Sequence, residues 1–193
     1  MPTPITADCT QGPWAAHDSG PRKASQIKWA VVHSAEVFDD TGADTTAEAV
    51  ANYFARPSTQ ASTQLAVDRD SCVRMLPDLV IPWGASGANT NGLHVEICGR
   101  AGWTRAQWLT LARRPMLDRA AYKTAMWCYR YEIPVRWVRP TGLELGRKGL
   151  TTHSDVEKAW PSSGHWDPGS GFPRDLFLQL VGKHLAAIKA TRR

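Results

Sequence analysis

The stretch Leu150 to Pro173, LTTHSDVEKAWPSSGHWDPGSGFP, gathers His153, His165 and Asp167 into one Pro/Gly-rich run. Imidazole nitrogens and a carboxylate oxygen are good ligands for Zn²⁺. A loop of this composition can fold back and aim His153 and Asp167 at one point. A further candidate lies far upstream, where His33 closes the apolar run IKWAVVHS, Ile27 to Ser34. Strand ends that feed loops are where sheet proteins place site residues. Three protein ligands leave the fourth tetrahedral position open for water, the arrangement of a catalytic zinc. Glu96, in the alternating run GLHVEICG, adds a carboxylate able to take a proton from water acidified by the metal.

Each residue also has a plainer reading. His33 alone fits a half-buried histidine with one hydrogen bond. Asp155 and Asp167 can cap turns, and Asp-Pro-Gly is a common turn sequence. Glu96 can be an exposed strand carboxylate. Spacing by itself leaves both readings open.

The elements that must position these residues are partly legible. Residues 1–26 are rich in Pro, Gly, Ser and Thr and predict an irregular lead-in; residues 27–193 form the domain proper. IKWAVVHS reads as a buried strand. TTAEAVANYFA, Thr45 to Ala55, reads as a helix, with capping-box spacing between Thr45 and Glu48 and Pro57 to stop it. TQLAVDRDSCVRML predicts two strands around an Arg-Asp-Ser turn. In GLHVEICG, Leu93, Val95 and Ile97 share one face and His94, Glu96 and Cys98 the other. TRAQWLTLARR opens with a capping box from Thr104 to Gln107, and Pro115 suits the first turn of a long helix reaching about Tyr131. IPVRWV predicts a further strand. Phe177, Leu180 or Val181, His184 or Leu185, and Ile188 mark an amphipathic closing helix. The sum is an α/β chain: a central mixed β-sheet flanked by helices in a single domain, with strand order unreadable.

Composition narrows the partners. A net charge of +5 attracts anionic polymers. The basic residues are scattered, with no helix-turn-helix, finger or RNP-like pattern, so nucleic acid is not expected and an anionic cell envelope is. No apolar run approaches the roughly 20 residues that span a bilayer, so no membrane insertion is expected. MPTPITADCTQGPW lacks a basic segment followed by an apolar one, so no secretory signal is expected either. Cys9, Cys72, Cys98 and Cys128 are far apart and predict reduced, mostly buried thiols. Some of the nine tryptophans are expected to line a groove as well as fill the core.

Four segments in order resemble one family. WAVVHSAE is similar to the first strand of the zinc-dependent N-acetylmuramoyl-L-alanine amidases of the type 2 amidase and peptidoglycan-recognition-protein superfamily. STQLAVDRDSCVRMLPD resembles their paired strands, IPWGASGANTNGLHVEICG their substrate-side loop and catalytic strand, and THSDVEKAWPSSGHWDPGSGFP their closing segment. The resemblance runs from about Lys28 to Phe172 and looks most like amidase domains of endolysins from phages of actinobacteria.

It implies His33, His153 and Asp167 as zinc ligands and Glu96 as the catalytic glutamate. His165 stands where many relatives have an oxyanion-stabilising lysine. It further implies peptidoglycan as substrate, cleaved between N-acetylmuramic acid and L-alanine. The groove would be lined by Trp83, Asn89, Asn91 and Thr63. The protein would be a monomer, made in a host cytoplasm and released to the wall by a holin. Alternatives within the superfamily are a non-catalytic peptidoglycan-binding module and a cytoplasmic muropeptide-recycling amidase. Departures fall on substrate contacts: Thr63-Gln64 stands in place of a Tyr-His or Ala-His pair and Trp83-Gly84 in place of Trp-His, with no arginine between Trp83 and Glu96.

Overall fold

The computed structural model describes residues 9–38, 42 and 45–192. The first eight residues of the lead-in therefore lie outside the described residues. Six strands form one sheet: β1 (Thr10–Gln11), β2 (Trp29–Ser34), β3 (Leu65–Val67), β4 (Cys72–Arg74), β5 (Gly92–Ile97) and β6 (Gly149–Thr152), in the order β1-β4-β3-β5-β2-β6. Only β3 and β4 pair antiparallel, as a hairpin; β1–β4, β3–β5, β5–β2 and β2–β6 are parallel. The sheet is thus mixed and flanked by helices, as expected.

The central position of β2 explains its sequence. All six of its residues are buried, and a parallel strand covered on both faces must be apolar nearly throughout. Ala30 and Val32 join a large core with Leu93, Val95 and Ile97 of β5. That core takes in α3 (Arg114–Arg130) and α6 (Arg174–Thr191), which pack on each other. Trp29 and Val31 face the other way, into a smaller cluster with Ala85, Ala88, Val138, Leu143 and Val156. His33 falls on this second side, and the register His33↔Glu96 puts Glu96 beside it.

Several expectations are corrected. IPVRWV is not a strand: it makes a single bridge, Trp137↔Leu150. Pro134 cannot donate to a ladder, and Pro140 opens α4 (Pro140–Glu144), so the segment has room for only one pairing. The strand in that region is β6, whose Gly-Leu-Thr-Thr is too short to show an alternation and opens on a glycine. Thr45 does not build a capping box at α1 (Thr46–Phe54): its hydroxyl donates to Gly42 O. Asp68 of the hairpin turn does the capping, its Oδ2 accepting from Ala47 N at 2.8 Å while Oδ1 holds Asp70 N and Ser71 N.

The capping box at α2 (Arg105–Trp108) is formed, and α3 begins with its proline in the first turn. Most of the lead-in after residue 8 is irregular, yet it contributes β1 and a 3-10 turn at Ala24–Gln26. Nor are all four cysteines reduced. Cys9 and Cys72 form a disulfide across a sequence separation of 63, tying the lead-in to β4. Parallel pairing of β1 with β4 brings the two together. Cys98 and Cys128 are buried and take no part in a disulfide.

Candidate metal centre

Three parallel strands end at the same level. β2 ends with His33 and Ser34, β5 with Glu96 and Ile97, and β6 passes directly into α5 (His153–Ala159), whose first residue is His153. The crevice beyond the carboxyl ends of parallel strands is the usual site position in such sheets. Thr152 caps α5, accepting from Asp155 N at 3.2 Å. Asp155 is structural: its carboxylate accepts from Arg174 and Thr152. That network fixes the strand-to-helix corner and so the direction of His153.

Asp167 arrives from the loop after α5. Its backbone carbonyl accepts from Ser154 N at 2.9 Å and its Oδ2 from Ser34 N at 3.2 Å. The Asp167–Pro168 peptide is cis. Gly169 has φ +83°, and a Cβ there would lie 1.9 Å from Ala101 O, so only glycine lets this loop seat against the chain.

The three side chains converge. One ligand atom from each of His33, His153 and Asp167 lies within 4.8 Å of the others, and all three residues are buried. His33 Nδ1 is 3.1 Å from His153 Nδ1 and 3.4 Å from Asp167 Oδ2, while His153 Nδ1 is 3.0 Å from Asp167 Oδ1. Ligand bonds of 2.0–2.1 Å in a tetrahedron put neighbouring ligand atoms about 3.3 Å apart. The donor set, two imidazoles and a carboxylate at that spacing, fits a zinc-sized ion. Glu96 Oε1 stands 3.9 Å from His33 Nδ1. His165 stacks on His153 with ring centroids 4.6 Å apart, and its Nδ1 is 3.6 Å from Asp167 Oδ1. Its side chain is largely exposed, whereas His33, His153 and Asp167 are buried.

Burial dominates the electrostatics. It lowers the proton affinity of His33, with the Asp167 hydrogen bond offsetting part of that effect. Burial, then the negative charge of Asp167 and Glu36, pushes the Glu96 carboxyl well above the usual carboxylate range. For Asp167, burial alone would act upward, but the hydrogen bonds of His153 and His33 prevail and hold it well below that range.

A groove of about 830 Å³ opens over the centre. Trp83, Asn89 and Thr63 line it. Asn89 is also a turn clamp, its Oδ1 accepting from Gly84 N and Ala85 N. Asn91 is not among the lining residues; its amide donates to Gln26 O at 2.6 Å. The sequence reading missed the α1 wall, Val50, Tyr53 and Phe54, and it missed Glu36. The α1 residues carried a signal only as a helical stripe, which is core until something leaves it uncovered. Glu36 carried none; its positive φ of 55° is a property of the fold. Glu157 was also unremarked, although its carboxylate takes the backbone N–H groups of Ser162, Ser163 and Gly164 and anchors the loop before His165.

Residues 23–170 match the sequence profile of a family described as N-acetylmuramoyl-L-alanine amidase. The chain belongs to that family. No curated protein sequence matches it. Among solved structures, the amidase fold recurs in the Staphylococcus aureus hydrolase AmiA in complex with its ligand, with TM-score 0.67, 17% identity and coverage of 95% of this chain and 87% of that one. A mutant endolysin from Bacillus subtilis gives TM-score 0.56 at 19% identity over 91% of this chain and 100% of that one. The N-acetylmuramoyl-L-alanine amidase LysC from Clostridium intestinale URNW gives 0.54 at 13% identity, over 91% and 99%. At these identities the likeness is one of fold.

Proposed function

We propose that this amidase is a zinc-dependent peptidoglycan hydrolase that cleaves the amide between the lactyl group of N-acetylmuramic acid and L-alanine of the stem peptide. The observation that carries the reading is the convergence of His33, His153 and Asp167 within 4.8 Å in a chain of this family, with Glu96 beside them. His33 and His153 would hold the ion through Nδ1, and Asp167 through its carboxylate. Zinc bound there supplies a Lewis acid that polarises the scissile carbonyl and acidifies water.

The chain's own groups do the rest. Glu96, beside His33 at the end of its strand, accepts the proton of the attacking water and then delivers it to the leaving amine. His165, exposed at the rim and stacked on His153, donates an N–H to the oxyanion of the tetrahedral intermediate. Trp83, Asn89 and Thr63 would border the sugar and peptide in the groove that opens over His33, His153 and Asp167. A binding module without catalysis is disfavoured because ligands and glutamate are all present. We further propose that the protein acts as a lysin on the wall of a bacterial host, released there from the cytoplasm by a holin. Endolysins among its structural neighbours support that role.

Chelator treatment tests the reading. Zinc removal is expected to abolish release of new L-alanine amino termini from purified peptidoglycan, and zinc addition to restore it. Full activity of metal-free protein would contradict zinc dependence. His165→Ala is expected to keep its metal and lose turnover by about 10²-fold, the scale of one oxyanion donor. Unchanged turnover would remove His165 from the mechanism.

A further inference from the structure

His94 is buried beside the metal centre and has no part in the mechanism above. It lies on β5 two residues before Glu96, on the same face, with no exposed surface. Its Nδ1 is 3.0 Å from His33 Nε2, and the two rings are 5.2 Å apart at 29°. Its backbone N–H donates to Gln64 Oε1 at 2.8 Å, and Gln64 is itself held by Val80 O. Two glycines bound its niche. A Cβ on Gly84 would lie 2.5 Å from His94 Nδ1, and one on Gly92 2.8 Å from His94 Nε2.

Tautomer logic gives this ring a task. His33 Nδ1 faces His153 and Asp167, so its lone pair is what a cation there would use. A neutral imidazole carries one proton, which then sits on Nε2, and the atom 3.0 Å away must accept it. His94 Nδ1 can accept only if the His94 proton is on Nε2. That nitrogen is buried with no hydrogen-bond partner among the described residues. A buried donor left unpaired is costly, and an apolar side chain of the same shape would avoid the cost. Packing alone does not account for a histidine here. Metal-ligating histidines are commonly oriented by an acceptor on the far nitrogen.

We propose that His94 is a positioning residue: its Nδ1 accepts the His33 Nε2 proton and fixes the tautomer and ring plane that turn His33 Nδ1 toward His153 and Asp167. This rests on the zinc reading above.

Two variants and the parent test it. His94→Asn keeps an acceptor near the place of Nδ1, whereas His94→Leu keeps bulk and removes the acceptor. Zinc dissociation constants are read by chelator competition, with near-UV circular dichroism to establish the fold. His94→Leu is expected to bind zinc about 10–100-fold more weakly, and His94→Asn to stay within about threefold of the parent. Equal losses in both variants, or no loss in His94→Leu, would overturn the proposal. A parent that binds no zinc would sink the zinc reading itself. Long-range ¹H–¹⁵N spectra of the zinc-loaded parent need no variant: they are expected to show His94 protonated on Nε2 and a slowly exchanging His33 Nε2–H. Protonation of His94 on Nδ1 would place two donors face to face and overturn the proposal regardless of how the variants fold.

Discussion

Among the buried polar clusters of the described residues, the one around Asp78 and the one around Asp167 differ most in what they ask of their surroundings. The Asp78 carboxylate accepts from Arg74 Nη1 at 3.2 Å, Trp127 Nε1 at 3.2 Å, Arg130 Nη1 at 3.1 Å and Tyr131 Oη at 2.9 Å. Its backbone carbonyl accepts twice from Arg22, whose other nitrogen donates to Gly92 O at 2.6 Å. Burial brings the Arg22 guanidinium down to about 10, so it stays charged at neutral pH opposite Asp78. Around Asp167, by contrast, two imidazole Nδ1 atoms and a carboxylate crowd one another, with a second carboxyl 3.9 Å from one of the rings. The first cluster is closed by its own chain and acts as scaffold. The second brings two ring nitrogens and a carboxylate to one point, a donor set that the proposed zinc would complete. Burial of polar residues therefore marks function only where the chain leaves the cluster unfinished.

The sharpest way to break this contrast is Glu96→Gln. Loss of a general base is expected to lower turnover by about 10²–10⁴-fold with zinc still bound. Because burial already disfavours the Glu96 charge, the metal-free variant should melt no lower than the parent. A turnover near the parent's would take Glu96 out of the chemistry. Asp78→Ala should do the reverse. Leaving Trp127 Nε1, Tyr131 Oη and Arg130 without the carboxylate that accepts from them is expected to cost about 2–4 kcal/mol of unfolding free energy. Zinc affinity of the folded protein should not change. A weakened zinc site with unchanged stability would mean that the two clusters are not separate.

The disulfide sharpens the scaffold side. Closing a loop across a separation of 63 residues is expected to contribute about 2–4 kcal/mol, lost on reduction or in Cys9→Ser, again with zinc affinity unchanged. An unaltered melting temperature under reducing conditions would contradict it. The free Cys128 thiol, pushed up to about 12 by burial, should stay unreactive meanwhile.

The smallest effect is expected at Glu157. Hydrogen bonds from Gly164 N and Ser162 N hold its carboxyl down to about 2. A folded value below the unfolded one, about 4.5, means the anchorage is complete above that range and is lost as pH falls through about 2. The gap in Tm between parent and Glu157→Gln should therefore be full at neutral pH and close toward pH 2. A gap that does not vary with pH would show that the carboxylate's charge is not what holds the loop.

Legibility in the sequence followed from how local each signal was. The β2 run, the β5 alternation, the proline at the start of α3 and the Thr104–Gln107 box are written in neighbouring residues, and they were readable. The four segments seen in order named His33, His153 and Asp167, and those three side chains converge in the structure. What could not be read depends on distant partners. β6 is only four residues long and opens on a glycine, too short to signal itself, and is a strand because β2 offers it an edge. IPVRWV has the propensity, and Pro134 within it and Pro140 just after it leave it one bridge. Asp68 capping α1 and Cys9 meeting Cys72 are contacts between segments whose spatial order no local pattern encodes. His94 was visible on the Glu96 face of β5. Its meeting with His33 was not, because it needs the register between β2 and β5.

The central claim is that His33, His153 and Asp167 together complete one ion site. Anomalous diffraction at the zinc edge, from crystals of the zinc-loaded protein, tests it most directly. The account predicts a single strong peak about 2.0–2.2 Å from His33 Nδ1, His153 Nδ1 and an Asp167 oxygen, with Glu96 beside it and unligated. Zinc absent from that position, or held by a different set of side chains, would contradict it.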